Sequence, residues 1–189
     1  MAQEPMSVDE LKHMAAAIRC DIIEMICTAR AGHPGGSLSA TDIVTALYFR
    51  LMRIDPQNPR WPDRDRFILS KGHACPVWYA ALAERGFYDK SHLTTLRRLG
   101  SILQGHPDMN KVPGIDMTTG SLGQGLSCAC GAAYHRILIA DDGRGQGQGP
   151  AGEVAEVAFA ERGETGVELQ GKGLASGGVV GAGGDVDGV

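Results

Sequence analysis

The chain has 189 residues, 43 % of them hydrophobic and 21 % charged, with a formal net charge of −4. That is enough for one domain with a real core and too little for two large ones. An acidic balance and a pI near 5.8 give no basic field, so nucleic acid is excluded as a partner. No run approaches the 18 or more apolar residues of a membrane span, so no membrane partner is expected. The opening "MAQEPMSVDE" lacks a basic-then-apolar targeting pattern, and the chain reads as cytoplasmic.

In chain order, Ser7 with Glu10 three residues on predicts a capped helix start. Leu11, Met14, Ala15, Ile18, Ile22 and Met25 then recur at helical spacing up to Ala31-Gly32. "GHPGG" reads as a loop. A second helix is expected from Ser39, with Ile43, Leu47 and Leu51 on one side, stopping before Asp55-Pro56. "RFILS" (66–70) predicts a buried strand, and helices follow over roughly 74–85 and 90–99. "TTGSLGQG" leads into a helix with Leu126, Ala129 and Ala133, and "RILIA" (136–140) reads as a second strand. Helices alternating with short buried strands predict an α/β layer fold.

Composition breaks late in the chain. Residues 1–142 hold 12 of the 27 glycines and residues 143–189 hold the other 15. So many glycines lose much backbone entropy on folding, with little apolar surface to offset it. The segment 143–189 is therefore expected to be a disordered Gly-rich tail, with a short helix possible only at "EVAEVAFAER". The five cysteines have no framework spacing and read as reduced, mostly buried filler.

Three of the six histidines, His33, His73 and His106, directly follow a glycine. With Gly at roughly 7 % of an average chain, fewer than one such pair is expected by chance. Each lies at a junction between elements, where α/β folds bind ligands. "SKGHA" follows the expected strand and opens a helix, whose free N–H groups suit an anion such as a diphosphate. Gly120, Gly123 and Gly125 allow main-chain amides to approach a ligand, although the spacing fits neither a Walker loop nor a dinucleotide fingerprint. Any one of these histidines could equally cap or pack locally. A zinc set of His33, His73, Cys75 and His106 has the right atoms, but its gaps match no compact zinc pattern.

"AGHPGGSLSATDIVTALYFRLMRIDPQNPRWPDRDRFILSKGHACPVWYAALAERGFY" followed by "GHPDMNKVPGIDMTTGSLGQGLSCACGAA" resembles the N-terminal part of transketolases, most closely the small N-terminal subunit of split ones. The likeness runs from about residue 8 to 133. It implies a partial thiamine-diphosphate-binding fold over residues 1–142, helix-rich with a short parallel sheet. It also implies transfer of a two-carbon ketol unit between sugar phosphates, with thiamine diphosphate and Mg²⁺ as cofactors. By the same resemblance His33 contacts substrate hydroxyls, His106 the oxygens of the donor ketose, and His73 the cofactor diphosphate. Gly120, Ser121 and Leu122 touch the cofactor through backbone and apolar contacts. Imidazole suits such work because it gives or takes a proton near neutral pH.

The sequence also departs from the family. A Gly-Asp-Gly and a later Asn hold the family's metal, but "ILIADDG" comes too early, "GGDVDG" has no strand before it, and no Asn follows Asn110. No metal ligand is assigned, and the metal site reads as incomplete. The pyrimidine-binding domain would come from a C-terminal transketolase subunit, in an oligomer. The abrupt Gly-rich ending reads as a truncated or frameshifted version of such a chain, inactive alone. The alternatives are a non-catalytic remnant serving as an interaction module, and a zinc-binding protein.

Overall fold

A computed structural model describes residues 4–141 and three further strands within 154–181, with side chains described as far as residue 135. Helix α1 spans Val8–Ala29 and begins with the expected capping box. The Ser7 amide donates to Glu10 Oε2 at 2.7 Å, and the Ser7 hydroxyl accepts from the Glu10 amide. Ala15, Ile18, Ile22 and Met25 are buried along one stripe, and Arg30 ends the helix in the left-handed conformation at φ 51°.

Helix α2 spans Pro34–Ala46, so it starts inside the segment that reads as a loop. Pro34 supplies the fixed φ favoured at a first turn. Ser37, Ala40, Thr41, Val44 and Thr45 form the buried stripe, and that tertiary burial overrides the two glycines. The helix closes in a π-turn over Leu47–Leu51. Leu51, expected on the buried side, is 55 % exposed. The segment 90–99 forms only a 3₁₀ turn over Lys90–Thr95. There Leu93 and Leu96 are buried while Leu99 is fully exposed.

Strand β1 (Arg66–Leu69) is the hinge of the architecture. Its alternate faces serve two clusters: Phe67 and Leu69 enter the main core, and Ile68 packs with Ala129. At the centre of the main core Phe67 stands edge-on to Trp78 and Tyr48, with ring centroids 5.0 and 5.7 Å away. The Trp78 indole donates to the Tyr48 hydroxyl at 2.5 Å, which satisfies the polar end of a buried ring. After β1 a 3₁₀ turn (Gly72–Ala74) leads into α3 (Cys75–Glu84), which is buried along nearly its whole length.

Other segments also differ from expectation. Residues 136–140 belong to helix α4 (Gln124–Asp141), not to a strand; nothing breaks the chain before them, and a short apolar run fits either state. Residues 154–159, read as a possible helix, form strand β2 (Val154–Phe159). Strand β2 pairs in parallel with β1, from Arg66↔Val154 to Leu69↔Val157. Strands β3 (Thr165–Leu169) and β4 (Gly178–Gly181) continue the sheet antiparallel, so it is mixed, where an all-parallel sheet and a strandless tail are expected. The rest of 143–189 lies outside the described residues.

Candidate functional site

Each of the three glycines before a histidine has its own steric reason. Gly32 sits at φ 152°, where a side chain would also meet Ile26 at 2.9 Å. A Cβ on Gly72 would lie 2.5 Å from the Thr119 carbonyl oxygen and 2.8 Å from the Gly120 amide nitrogen. A Cβ on Gly105 would lie 2.5 Å from the Arg97 guanidinium. At Gly72 the missing side chain lets two backbone segments approach closely, whereas Gly32 and Gly105 make room for the side chains of Ile26 and Arg97.

His33 occupies the N-cap position of α2 but makes no side-chain capping bond. Its ring meets that of His73 edge to face, with centroids 4.9 Å apart and planes inclined at 66°. His73 is half-buried in the 3₁₀ turn after β1, while His33 and His106 are exposed. Gly120 faces the His106 ring, 3.5 Å from Cδ2 to a built Cβ. A chain of contacts thus runs from His33 to His73, across Gly72 to Thr119-Gly120, and on to His106. Beside His106 opens a cleft of about 550 Å³ lined by Arg97, Gln104, Pro107, Asp108 and Thr118. Ser121 and Leu122 are exposed next to Gly120. The turn behind them is locked to β1: the Gly123 amide, at φ 80°, donates to the Ser70 carbonyl at 3.2 Å, and Gly125 rests directly on Ser70.

Residues 10–154 match the family model "Transketolase, thiamine diphosphate binding domain". The chain belongs to the transketolase family. That match reaches beyond Ala133, where the motif likeness ends. Among relatives, it is 55 % identical over 124 residues to the 6-deoxy-6-sulfo-D-fructose transketolase subunit SqwG of Clostridium sp. (strain MSTE9), covering 66 % of this chain and 45 % of that one. It is 40 % identical over 159 residues to an apulose-4-phosphate transketolase subunit of Phocaeicola vulgatus, covering 79 % and 56 %. A solved transketolase from Leishmania mexicana superposes with a TM-score of 0.68 at 34 % identity, over 75 % of this chain and 21 % of that one. The chain spans about half the length of the two subunits and about a fifth of the full-length enzyme.

As part of a thiamine-diphosphate-binding domain, the site has unsatisfied polar capacity. Among the described residues the hydroxyls of Ser70 and Thr119 are buried without a hydrogen-bond partner, flanking the Gly72–Gly120 contact. Such groups are costly unless something polar meets them, and a diphosphate ester offers acceptors. Lys71, absent from the candidates read in the sequence, is also present: it is 5 % exposed and its ammonium donates to the Ser39 hydroxyl at 3.3 Å. Its Nζ and His73 Nε2 each lie 3.8 Å from a Cβ built on Gly36. Burial lowers the Lys71 amine to about 8. Its place inside "SKGHA" is the signal that could have found it.

A resident metal is a different matter. Among the described residues there is no group of three or more His, Cys, Asp or Glu side chains that could hold an ion. Asp141 ends α4; Asp142 and the "GGDVDG" segment lie outside the described residues. Nor do the cysteines all serve as buried filler: Cys75 is buried, but Cys20, Cys27 and Cys130 are exposed. Helices α1 and α4 turn those positions away from the core.

Proposed function

We propose that this chain is the cofactor-holding part of a transketolase that moves a two-carbon ketol unit between sugar phosphates. It does so together with a C-terminal subunit, in an oligomer, in the cytoplasm, with Mg²⁺ as the family's accompanying metal. The observation that carries this reading is the contact chain joining three Gly-His motifs to Gly120. Among the described residues no helix is long and apolar enough to cross a membrane. Two relatives are named as transketolase subunits, which supports a divided enzyme. Both of their named substrates carry an anionic group, a phosphate or a sulfonate.

Thiamine diphosphate, when bound, supplies the carbon nucleophile and electron sink. In this reading His73 donates to its diphosphate, and buried Lys71 adds positive potential behind Gly36. Gly120, Ser121 and Leu122 lie along the cofactor, giving it main-chain amides and an apolar surface. His33 orients substrate hydroxyls, and His106, above the open cleft, hydrogen-bonds the oxygens of the donor ketose. Imidazole can hold or pass a proton at either nitrogen.

Calorimetry with thiamine diphosphate and Mg²⁺, on the chain alone and with a C-terminal subunit, tests the reading. Binding in the combined sample is the expected outcome. No detectable binding in either sample overturns the cofactor-holding role and leaves a non-catalytic remnant.

A further inference from the structure

The loop that carries His106 has little regular structure of its own, yet helix α3 grips it at three consecutive carbonyls. The Tyr79 hydroxyl lies 3.0 Å from the carbonyl oxygens of both Gln104 and His106, and its single proton is shared between them. One helical turn earlier, the Cys75 thiol donates to the Gly105 carbonyl at 3.3 Å and lies 3.6 Å from that of Gln104. Residues four apart share a helix face, so both donors address the same strip of backbone. Tyr79 and Cys75 are 0 % and 1 % exposed. Burial raises the Tyr79 phenol well above its ordinary range and pushes the Cys75 thiol up to about 12. Both therefore remain protonated donors at neutral pH. On Gly105 the Arg97 guanidinium presses close, and the Tyr88 hydroxyl ties α3 to the chain beyond it by donating to the Tyr79 carbonyl at 2.7 Å.

We propose that Tyr79 and Cys75 are positioning residues for His106: their paired donors fix the 104–106 backbone so that the imidazole stays against Gly120. Neither side chain touches the reacting groups. The functional consequence rests on the role given to His106 above; the positioning itself does not. A buried hydrogen bond of this kind changes the detached population of such a loop by about fivefold.

NMR of the histidine Cε1–H signals, assigned through His33→Asn, His73→Asn and His106→Asn, reads the effect directly. Tyr79→Phe keeps the ring and removes the hydroxyl. The expected result is a moved or broadened His106 signal with those of His33 and His73 unchanged. Cys75→Ser retains a donor and should leave the His106 signal in place, whereas Cys75→Ala should move it. Because the Gln104 carbonyl is common to both donors, the double variant should shift it by more than the two single shifts together. An unmoved His106 signal in Tyr79→Phe overturns the proposal. Should Tyr79→Phe not fold, an unmoved signal in Cys75→Ala does so instead. Calorimetry with thiamine diphosphate separates the two ideas. Wild-type binding with an unmoved His106 signal removes only the positioning role; a moved signal without wild-type binding removes only the cofactor-holding role.

Discussion

His33 and His73 meet ring to ring at 4.9 Å, edge to face, although they come from two separate junctions of the chain. One ends the α1–α2 connection and the other follows β1. If His73 donates to the diphosphate and His33 to substrate, their removal should have unequal effects on the cofactor. His73→Ala is expected to weaken thiamine diphosphate binding by about tenfold or more and His33→Ala by less than about threefold, since hydrogen bonds to an anion are the stronger class. Calorimetric titration of both variants checks the order, and the reverse order would assign the rings wrongly.

Gly72 should tolerate no side chain. A Cβ there would lie 2.5 Å from the Thr119 carbonyl oxygen, and backbone on both sides cannot step aside cheaply. Gly72→Ala is expected to destabilise the fold by about 2 kcal/mol through overpacking. Gly35→Ala, where a Cβ would meet nothing within 4 Å, should be far milder. Urea titrations of the two variants provide the comparison.

Lys71 gives stability a specific pH dependence. Burial lowers its amine from the ordinary 10.5 to about 8, so the unfolded chain holds this proton more tightly than the folded one. The associated penalty is full below pH 8 and is relieved as pH rises from about 8 to about 10. Relative to Lys71→Met, the wild-type protein should therefore gain stability across that interval. Denaturation midpoints of both proteins at pH 7, 8, 9 and 10 measure it, and a constant difference would show that the amine is not perturbed.

The Arg64–Asp116 pair anchors the approach to the site. The Asp116 side chain is 6 % exposed and pairs with the Arg64 guanidinium, and its second oxygen accepts from the Phe67 amide at 3.0 Å. This bond joins β1 to the segment leading to Thr119. Asp116→Ala leaves a largely buried guanidinium without this partner and should cost about 3 kcal/mol of stability. Chemical denaturation measures the loss; a cost under about 0.5 kcal/mol, the size of an ordinary surface change, would mean that the pair is not an anchor.

Alkylation should sort the cysteines by exposure. Cys20, Cys27 and Cys130 are exposed and Cys75 is buried, with its thiol pushed up to about 12. Because the thiolate is the reactive form, Cys75 should stay unmodified in the folded protein and react only after denaturation. Peptide mass spectrometry after timed iodoacetamide treatment reads this out, and early labelling of Cys75 would contradict the packing of α3 against the His106 loop.

The first helix was fully legible because its information is local: a capping pair, one apolar stripe and a terminator all fall within the segment itself. Strand β1 and the start of α4 were legible for the same reason. Residues 136–140 and 154–159 were not, because short apolar runs suit either a helix or a strand until a neighbour offers hydrogen bonds. For 154–159 that neighbour is β1, far away in sequence. The motif glycines marked junctions between elements, but their spacing could not say that Gly72 would lie on Thr119 or Gly105 under Arg97.

What the sequence alone determined is therefore the inventory: a capped helix, a buried strand, and imidazoles placed after glycines at element boundaries. Local backbone preference and apolar periodicity fix such features without reference to distant residues. Tertiary structure alone decided which of those imidazoles meet, which hydroxyls are left buried without partners, and that a tyrosine and a cysteine on α3 grip the His106 loop. Those are contacts between segments remote along the chain, and only packing of the whole core brings their atoms within a few ångströms of one another.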